Sequence, residues 1–322
     1  MKAVNALSCS SMLRSFFIGL STNKSFRKFS ERSAIGRRVS HRFVAGMTVE
    51  EAVEAARQLN GEGIEVTLDS LGESVTDEAH AEASAAIYHR LLDEIAAKQL
   101  RANVSLKLTQ MGMDVGGADG AEGSALAERI VGELVAHAAG MSNFVRIDME
   151  GAGYTDATIA ITERLHARFP GAVGTVLQAY LYRTAEDAER LLGQGIRIRL
   201  CKGAYKEPPE IAFPAKADVD ANYAKLMERM VTSGVFCGIA THDEALVERL
   251  CRFVEKNGVA RDAFEFQMLY GIRRDLQRKL VSKGYGVRVY VPFGTEWYPY
   301  FMRRLAERPA NVLFLVKNFF RS

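Results

Sequence analysis

Ionisable and amide side chains recur in this chain at the ends of short β-rich runs. Lys107 lies in ANVSLKL, Asp148 is near the end of FVRIDM with Glu150 directly after it, and Gln178 sits in GTVLQAY. Arg199 and Lys202 belong to IRIRLCK, Thr241 ends VFCGIAT with His242 directly after it, Gln267 falls in AFEFQML and Tyr290 in GVRVYVP. Glu73 comes shortly after IEVTL, and Arg303 and Arg304 stand a short turn beyond the last run. The chemistry such a set favours is anion recognition. Lys107, Arg303 and Arg304 make a cationic clamp, since guanidinium groups grip a carboxylate through paired hydrogen bonds and lysine adds a point charge. Arg199, Lys202 and the backbone of Gly203 and Ala204 can cradle a cofactor phosphate or flank an electron-rich ring.

Each residue also has a plainer reading. A single Lys or Arg near a strand end is usually a surface or ion-pair residue, and His242 beside Asp243 could as readily cap the next helix. Lys107 and Arg199 are harder to set aside, because an unpaired cation inside a strand is costly. A buried amide such as Gln178 needs partners. No Ser-His-Asp order, metal-ligand cluster or Cys-His pair can be placed. A Schiff-base lysine, Lys107 or Lys202, is the rival chemistry; it needs desolvation or a neighbouring cation. The stretch GGADGAEG (116–123) reads as a loop and lacks the spacing of a dinucleotide fingerprint.

The elements that must position these residues alternate along the chain. Eight β-rich runs begin at 64, 102, 144, 174, 196, 235, 263 and 286, each near-continuously apolar as in a sheet covered by helices. Amphipathic stretches lie between them. Residues 47–60, for example, open on a Thr-x-x-Glu start and set Val49, Ala52, Val53, Ala56 and Leu59 on one face. Alternating β and α units imply a parallel sheet, and eight units imply a closed (β/α)8 TIM barrel. Active sites of such barrels gather at the C-terminal strand ends.

With 322 residues, 48% hydrophobic and 25% charged, the chain has the composition of a globular protein with one large core. A net charge of +3 argues against nucleic acid as a partner of the whole surface. The organisation expected is an N-terminal helical arm over 1–46, then a catalytic barrel over 47–322 that ends in a substrate-binding helix. The arm carries nine Lys or Arg and one acid, Glu31. It reads as a solvated helical arm, a lipid-facing basic segment or a targeting stretch. No apolar run approaches the roughly 20 residues of a spanning helix. Cys9, Cys201, Cys237 and Cys251 fit neither a zinc site nor a disulfide framework, which points to a reducing cytoplasmic compartment.

Several segments together resemble the monofunctional bacterial proline dehydrogenases: VRIDMEG (145–151), VLQAYLYRT (176–184), RLCKGAYKEP (199–208), ATHDEAL (240–246), EFQMLYGIR (265–273) and YVPFGTEWYPYFMRRLAERPAN (290–311). RFVAGMTVEEAV (42–53) is similar to that family's lead-in. The resemblance implies a distorted (β/α)8 barrel that binds FAD, oxidises L-proline to Δ1-pyrroline-5-carboxylate and passes electrons to a membrane quinone from the peripheral inner face. It also implies roles. Arg303, Arg304 and Lys107 would hold the substrate carboxylate, and Tyr290, Tyr300, Leu200 and Tyr205 would pack around the proline ring. Asp148 and Arg199 would be catalytic, with Arg199 near the reactive flavin nitrogen. Gln178, Met149, Lys202, Gly203, Ala204, Thr241 and His242 would touch FAD, and Glu73 would gate the site through Arg303. Proline would react as the neutral amine, so that the rate rises with pH.

Overall fold

The computed structural model describes residues 42–72, 74–117, 121–298, 300 and 302. Eight strands close into an all-parallel barrel in sequence order, β1 (Glu65–Ser70), β2 (Ala102–Leu106), β3 (Val145–Ile147), β4 (Val173–Gln178), β5 (Arg197–Cys201), β6 (Cys237–Ala240), β7 (Phe264–Leu269) and β8 (Gly286–Phe293). The β1–β8 register, from Glu65 opposite Arg288 to Ser70 opposite Phe293, seals the ring. The helices are α1 (Val49–Gly61), which precedes β1, then α2 (Glu78–Ala97), α3 (Ala121–Gly140), α4 (Thr155–Arg168), α5 (Thr184–Gly193), α6 (Lys216–Val231), α7 (Glu244–Asn257) and α8 (Arg274–Ser282).

Local chemistry sets the helix ends. Thr48 and Glu51 form the capping box that starts α1. Asp77 accepts from the His80 N–H at the start of α2, and Asp243 accepts from the Ala245 N–H at the start of α7. Gly258 ends α7 in the left-handed conformation at φ 66. Along α7, Leu246, Val247, Leu250 and Val254 are buried at helical spacing.

The strands are not continuously apolar, as the sequence suggested; they alternate. Val66, Leu68, Val104, Leu106, Ile198 and Leu200 join the buried core between barrel and helices. Burial of each such side chain contributes about 1.5–3 kcal/mol. The intervening residues face the lumen, because they bond between strands that are not neighbours: Arg199 of β5 reaches Gln267 of β7 and Ser105 of β2.

Some strands also stop earlier than the apolar runs do. β2 ends at Leu106 and β3 at Ile147, which places Lys107 and Asp148 in the loops just beyond. The glycine-rich stretch is only partly a loop, since α3 already begins at Ala121. Gly123 permits this: a Cβ there would lie 2.2 Å from the Met113 carbonyl oxygen.

Candidate active site

A cavity of about 1570 Å3 opens at the C-terminal ends of the strands. At its floor Asp148 accepts hydrogen bonds from three groups: Ser105 Oγ at 2.6 Å, Arg199 Nη1 at 2.8 Å and Tyr290 OH at 2.8 Å. Arg199 also donates from Nε to Gln267 Oε1, and its guanidinium lies 5.2 Å from the Tyr290 ring centroid. Side-chain exposure is only 8% for Arg199 and 13% for Asp148, so this ion pair is shielded from solvent. Burial, reinforced by Asp148 and Asp69, holds the Tyr290 phenol well above its usual range, so Tyr290 is a donor at neutral pH.

Asp69, at the end of β1, was not singled out in the sequence. It is buried, with Lys107 Nζ 3.5 Å from both carboxylate oxygens and Tyr88 OH 3.3 Å from Oδ1. Burial raises its pKa; Lys107 opposes that rise and Asp148 adds to it. Asp69, Lys107, Asp148 and Tyr290 thus form one charged cluster on one side of the cavity.

The other side is organised by Gln178, Lys202 and His242. Gln178 Nε2 donates to the Glu150 carbonyl at 2.9 Å, and its Oε1 accepts from the Ala204 N–H at 3.4 Å. Glu150 is a tie between loops: its carboxylate accepts from the Thr109 backbone N–H and hydroxyl. Lys202 Nζ donates to Asp220 Oδ1 and to Asp243 Oδ2. Burial pushes the Asp220 carboxyl up, but hydrogen bonds from Lys202 and Lys216 outweigh it and leave the group below its ordinary range. Asp243 is shifted down in the same way, with Lys202 overcoming burial. His242 Nε2 accepts from the Leu269 N–H at 2.9 Å, and the α7 cap is Asp243, so His242 is not the cap. Gly203 sits at φ 119, where a Cβ would stand 2.2 Å from the Tyr180 ring, so only glycine lets this loop pass.

Most residues named from the sequence border this cavity, including Lys107, Asp148, Met149, Gln178, Arg199 and Lys202. Gly203, Ala204, Thr241, His242, Tyr290 and Tyr300 border it too, and Tyr205 stands exposed at its edge. Leu200 does not. It is fully buried in the outer core, because the lumen-facing Arg199 and Cys201 flank it on the same strand. Glu73, Arg303 and Arg304 lie outside the described residues. Cys201 borders the cavity, and burial pushes its thiol up to about 12, away from the reactive thiolate form. Among the described residues no group of three or more His, Cys, Asp or Glu could hold a metal ion.

Asp69, Ser105, Asp220 and Asp243 went unrecognised in the sequence. The available signal was strand parity, which puts Asp69 and Ser105 on the lumen face with Thr67 and Asn103.

The lysines' partners weigh against Schiff-base chemistry. Such a nucleophile must be neutral, whereas Lys107 and Lys202 both face carboxylates.

Comparison with known proteins places the chain in a family. Residues 52–317 match the family described as proline dehydrogenase. The chain is 40% identical over 307 residues to proline dehydrogenase 1 of Bacillus subtilis, covering 95% of this chain and 98% of that one. It is 42% identical over 282 residues to the proline dehydrogenase of Deinococcus radiodurans, covering 87% and 89%. Among solved structures it superposes with a TM-score of 0.78 on proline utilization A from Bdellovibrio bacteriovorus inactivated by N-propargylglycine, at 22% identity. That match covers 92% of this chain but only 36% of the longer protein, and it speaks for the fold alone. The chain belongs to the proline dehydrogenase family.

Proposed function

We propose that this enzyme oxidises L-proline to Δ1-pyrroline-5-carboxylate with FAD as its cofactor and a membrane quinone as the final electron acceptor. The observation that carries the reading is a single cavity with two chemically different sides. The Asp69–Lys107–Asp148–Tyr290 cluster suits a small zwitterion, and the Gln178–Lys202–His242 side suits a larger, phosphate-bearing molecule. The cavity, at about 1570 Å3, exceeds the roughly 300–1,000 Å3 of ordinary small-molecule sites and leaves room beside proline for a dinucleotide.

The donor set fits FAD. Lys202 and the backbone at Gly203 and Ala204 would face its phosphates, and Gln178 and Arg199 its ring, with Met149, Thr241 and His242 completing the contacts. When bound, the flavin supplies the two-electron acceptor that no side chain can.

The chain's own residues orient and hold charge. The Lys107 ammonium supplies a fixed positive charge for the substrate carboxylate, joined by Arg303 and Arg304, and Glu73 gates access through Arg303. Tyr290, Tyr300 and Tyr205 would enclose the ring. Arg199 is held in place by Asp148, Ser105 and Gln267, so no reorganisation is required of it during the reaction. Substrate reacts as the free amine, whose lone pair stabilises the cation forming on the adjacent carbon, and the rate rises with pH accordingly. Access to quinone would come from peripheral attachment to the inner face of the cell membrane; among the described residues no helix is long and apolar enough to cross one.

The visible spectrum of the purified protein tests this. A flavin band that bleaches anaerobically on adding L-proline is the expected result. A colourless protein that stays inactive after FAD is added would overturn it.

A further inference from the structure

The barrel has a second opening. At the N-terminal ends of the strands, opposite the cavity already described, another cavity of about 720 Å3 runs into the lumen. Arg199 and Gln267 line both cavities and so form the floor between them. Five arginines border the lower cavity, Arg101, Arg146, Arg197, Arg199 and Arg288, against two acids, Glu65 and Glu265. Both acids are already taken by Arg288. Arg199 is taken by Asp148.

Arg146 is the anomaly. It is 3% exposed and has no carboxylate partner among the described residues. Its Nη1 donates to the carbonyls of Thr175 at 2.9 Å and Arg197 at 2.7 Å, while its Nε is buried without a partner. The Phe144 ring centroid lies 4.6 Å from the Arg146 guanidinium and 5.3 Å from that of Arg197. Gly174 makes the space: a Cβ there would stand 2.2 Å from the Arg197 carbonyl and 3.1 Å from Arg146 Nη1. Burial, with Arg199 and Arg288 nearby, works against the charge on Arg146, although the carboxylates of Glu265 and Asp148 favour it. A guanidinium nevertheless keeps its proton in proteins, and a charge this deep is normally paired. Arg197 is half-buried at the rim and likewise has no carboxylate partner among the described residues.

We propose that the N-terminal mouth of the barrel is a binding site for a small oxyanion, a carboxylate or a phosphate, held by Arg146 and Arg197 beside the Phe144 ring. The volume lies within the range of small-molecule sites, so the anion can be one group of a small metabolite. Two parallel N–H bonds from a guanidinium suit either oxyanion. The site is joined to the upper one by hydrogen bonds: Arg288 Nε and Gln267 Nε2 both donate to Glu265 Oε1, at 2.7 and 2.6 Å, and Gln267 Oε1 accepts from Arg199. The inference holds whether or not the reaction proposed above is correct, because its residues lie at the opposite mouth.

Calorimetric titration of the full chain tests it, with inorganic phosphate and separately with succinate as probes, in chloride at constant ionic strength. Saturable binding of at least one probe is expected, and the tighter probe identifies the source of the oxyanion. Arg197→Gln, a rim substitution, should weaken that binding at least about tenfold, the effect of losing one charge-assisted hydrogen bond. Lys202→Gln, which alters only the upper cavity, should leave it unchanged. Arg146→Met should abolish binding, read beside its melting curve. Absence of saturable binding of both probes overturns the proposal. So does binding that Lys202→Gln removes and Arg197→Gln leaves intact.

Discussion

Replacing Asp148 separates two things this carboxylate does: it balances the charge of Arg199, and it fixes the positions of Ser105, Arg199 and Tyr290. In Asp148→Ala, Arg199 is left buried without its ion-pair partner, and Tyr290 loses its 2.8 Å bond to the carboxylate. Removing one partner of a buried pair costs roughly 3–5 kcal/mol. For a domain of this size each kcal/mol shifts Tm by about 2 °C, so Tm should fall by roughly 6–10 °C. In Asp148→Asn the side-chain oxygen can still accept from Ser105 and Arg199, and the Tyr290 hydroxyl can turn to accept from the new amide. The hydrogen-bond geometry is kept, but Arg199 still loses its counter-charge, so the cost should lie near the lower end of the roughly 3–5 kcal/mol of a broken buried pair. Tm should then fall by about 6 °C, less than in the Ala variant at its upper limit, while kcat/KM for proline falls by about tenfold or more. Differential scanning fluorimetry and steady-state kinetics, normalised to flavin content, give both numbers. Equal Tm for the Ala variant and the parent would refute the buried-pair reasoning. Equal kcat/KM for Asn and parent would show that the charge on Asp148 does not matter to the reaction.

Three further outcomes can be measured. Arg303→Met and Arg304→Met, whose assignment rests on family resemblance, should each lower kcat/KM for proline at least about tenfold with flavin still bound, which paired absorbance and activity measurements check. Asp220→Asn should be destabilised at neutral pH but converge on the parent in acid. Its folded-state pKa lies below its unfolded one, so its contribution is present above about pH 4 and is lost as pH falls through the folded value; melting curves against pH read this directly. Neutralising the Lys and Arg residues of the 1–46 arm should weaken salt-sensitive sedimentation with anionic liposomes; equal partitioning of neutralised and native protein would make the arm structural.

Much of the fold was legible because each βα unit carries two periods, and eight repeats leave few ways to close a sheet. The site was legible where a polar residue broke an apolar run, as at Lys107, Asp148, Gln178 and Arg199. Asp69 escaped notice because Asp-Ser after an apolar run reads as turn chemistry, yet both residues still belong to β1. Asp220 and Asp243 lie 18 and 41 residues from Lys202 and meet it only through the tertiary fold. Leu200 shows the opposite error: the resemblance put it at the substrate, whereas parity on β5 puts it in the outer core.

The polar lumen has a stability cost and a functional return. Arg146, Arg199 and Arg288 occupy space that barrels of this class usually fill with branched apolar side chains. Replacing a buried ion pair by well-packed apolar residues is often neutral or stabilising, so this ladder does not make the barrel more stable than an apolar one. It does fix direction. Arg199 is bonded to Asp148, Ser105 and Gln267, and Gln267 is in turn bonded to Glu265, which Arg288 holds. A guanidinium restrained on several sides in a shielded site is oriented when the chain folds. The entropy of placing it is therefore spent before substrate arrives, and its field acts at full strength on charge that develops above it. The same ladder has one member, Arg146, with no carboxylate partner among the described residues, and like Arg199 and Arg288 it borders the cavity at the opposite mouth.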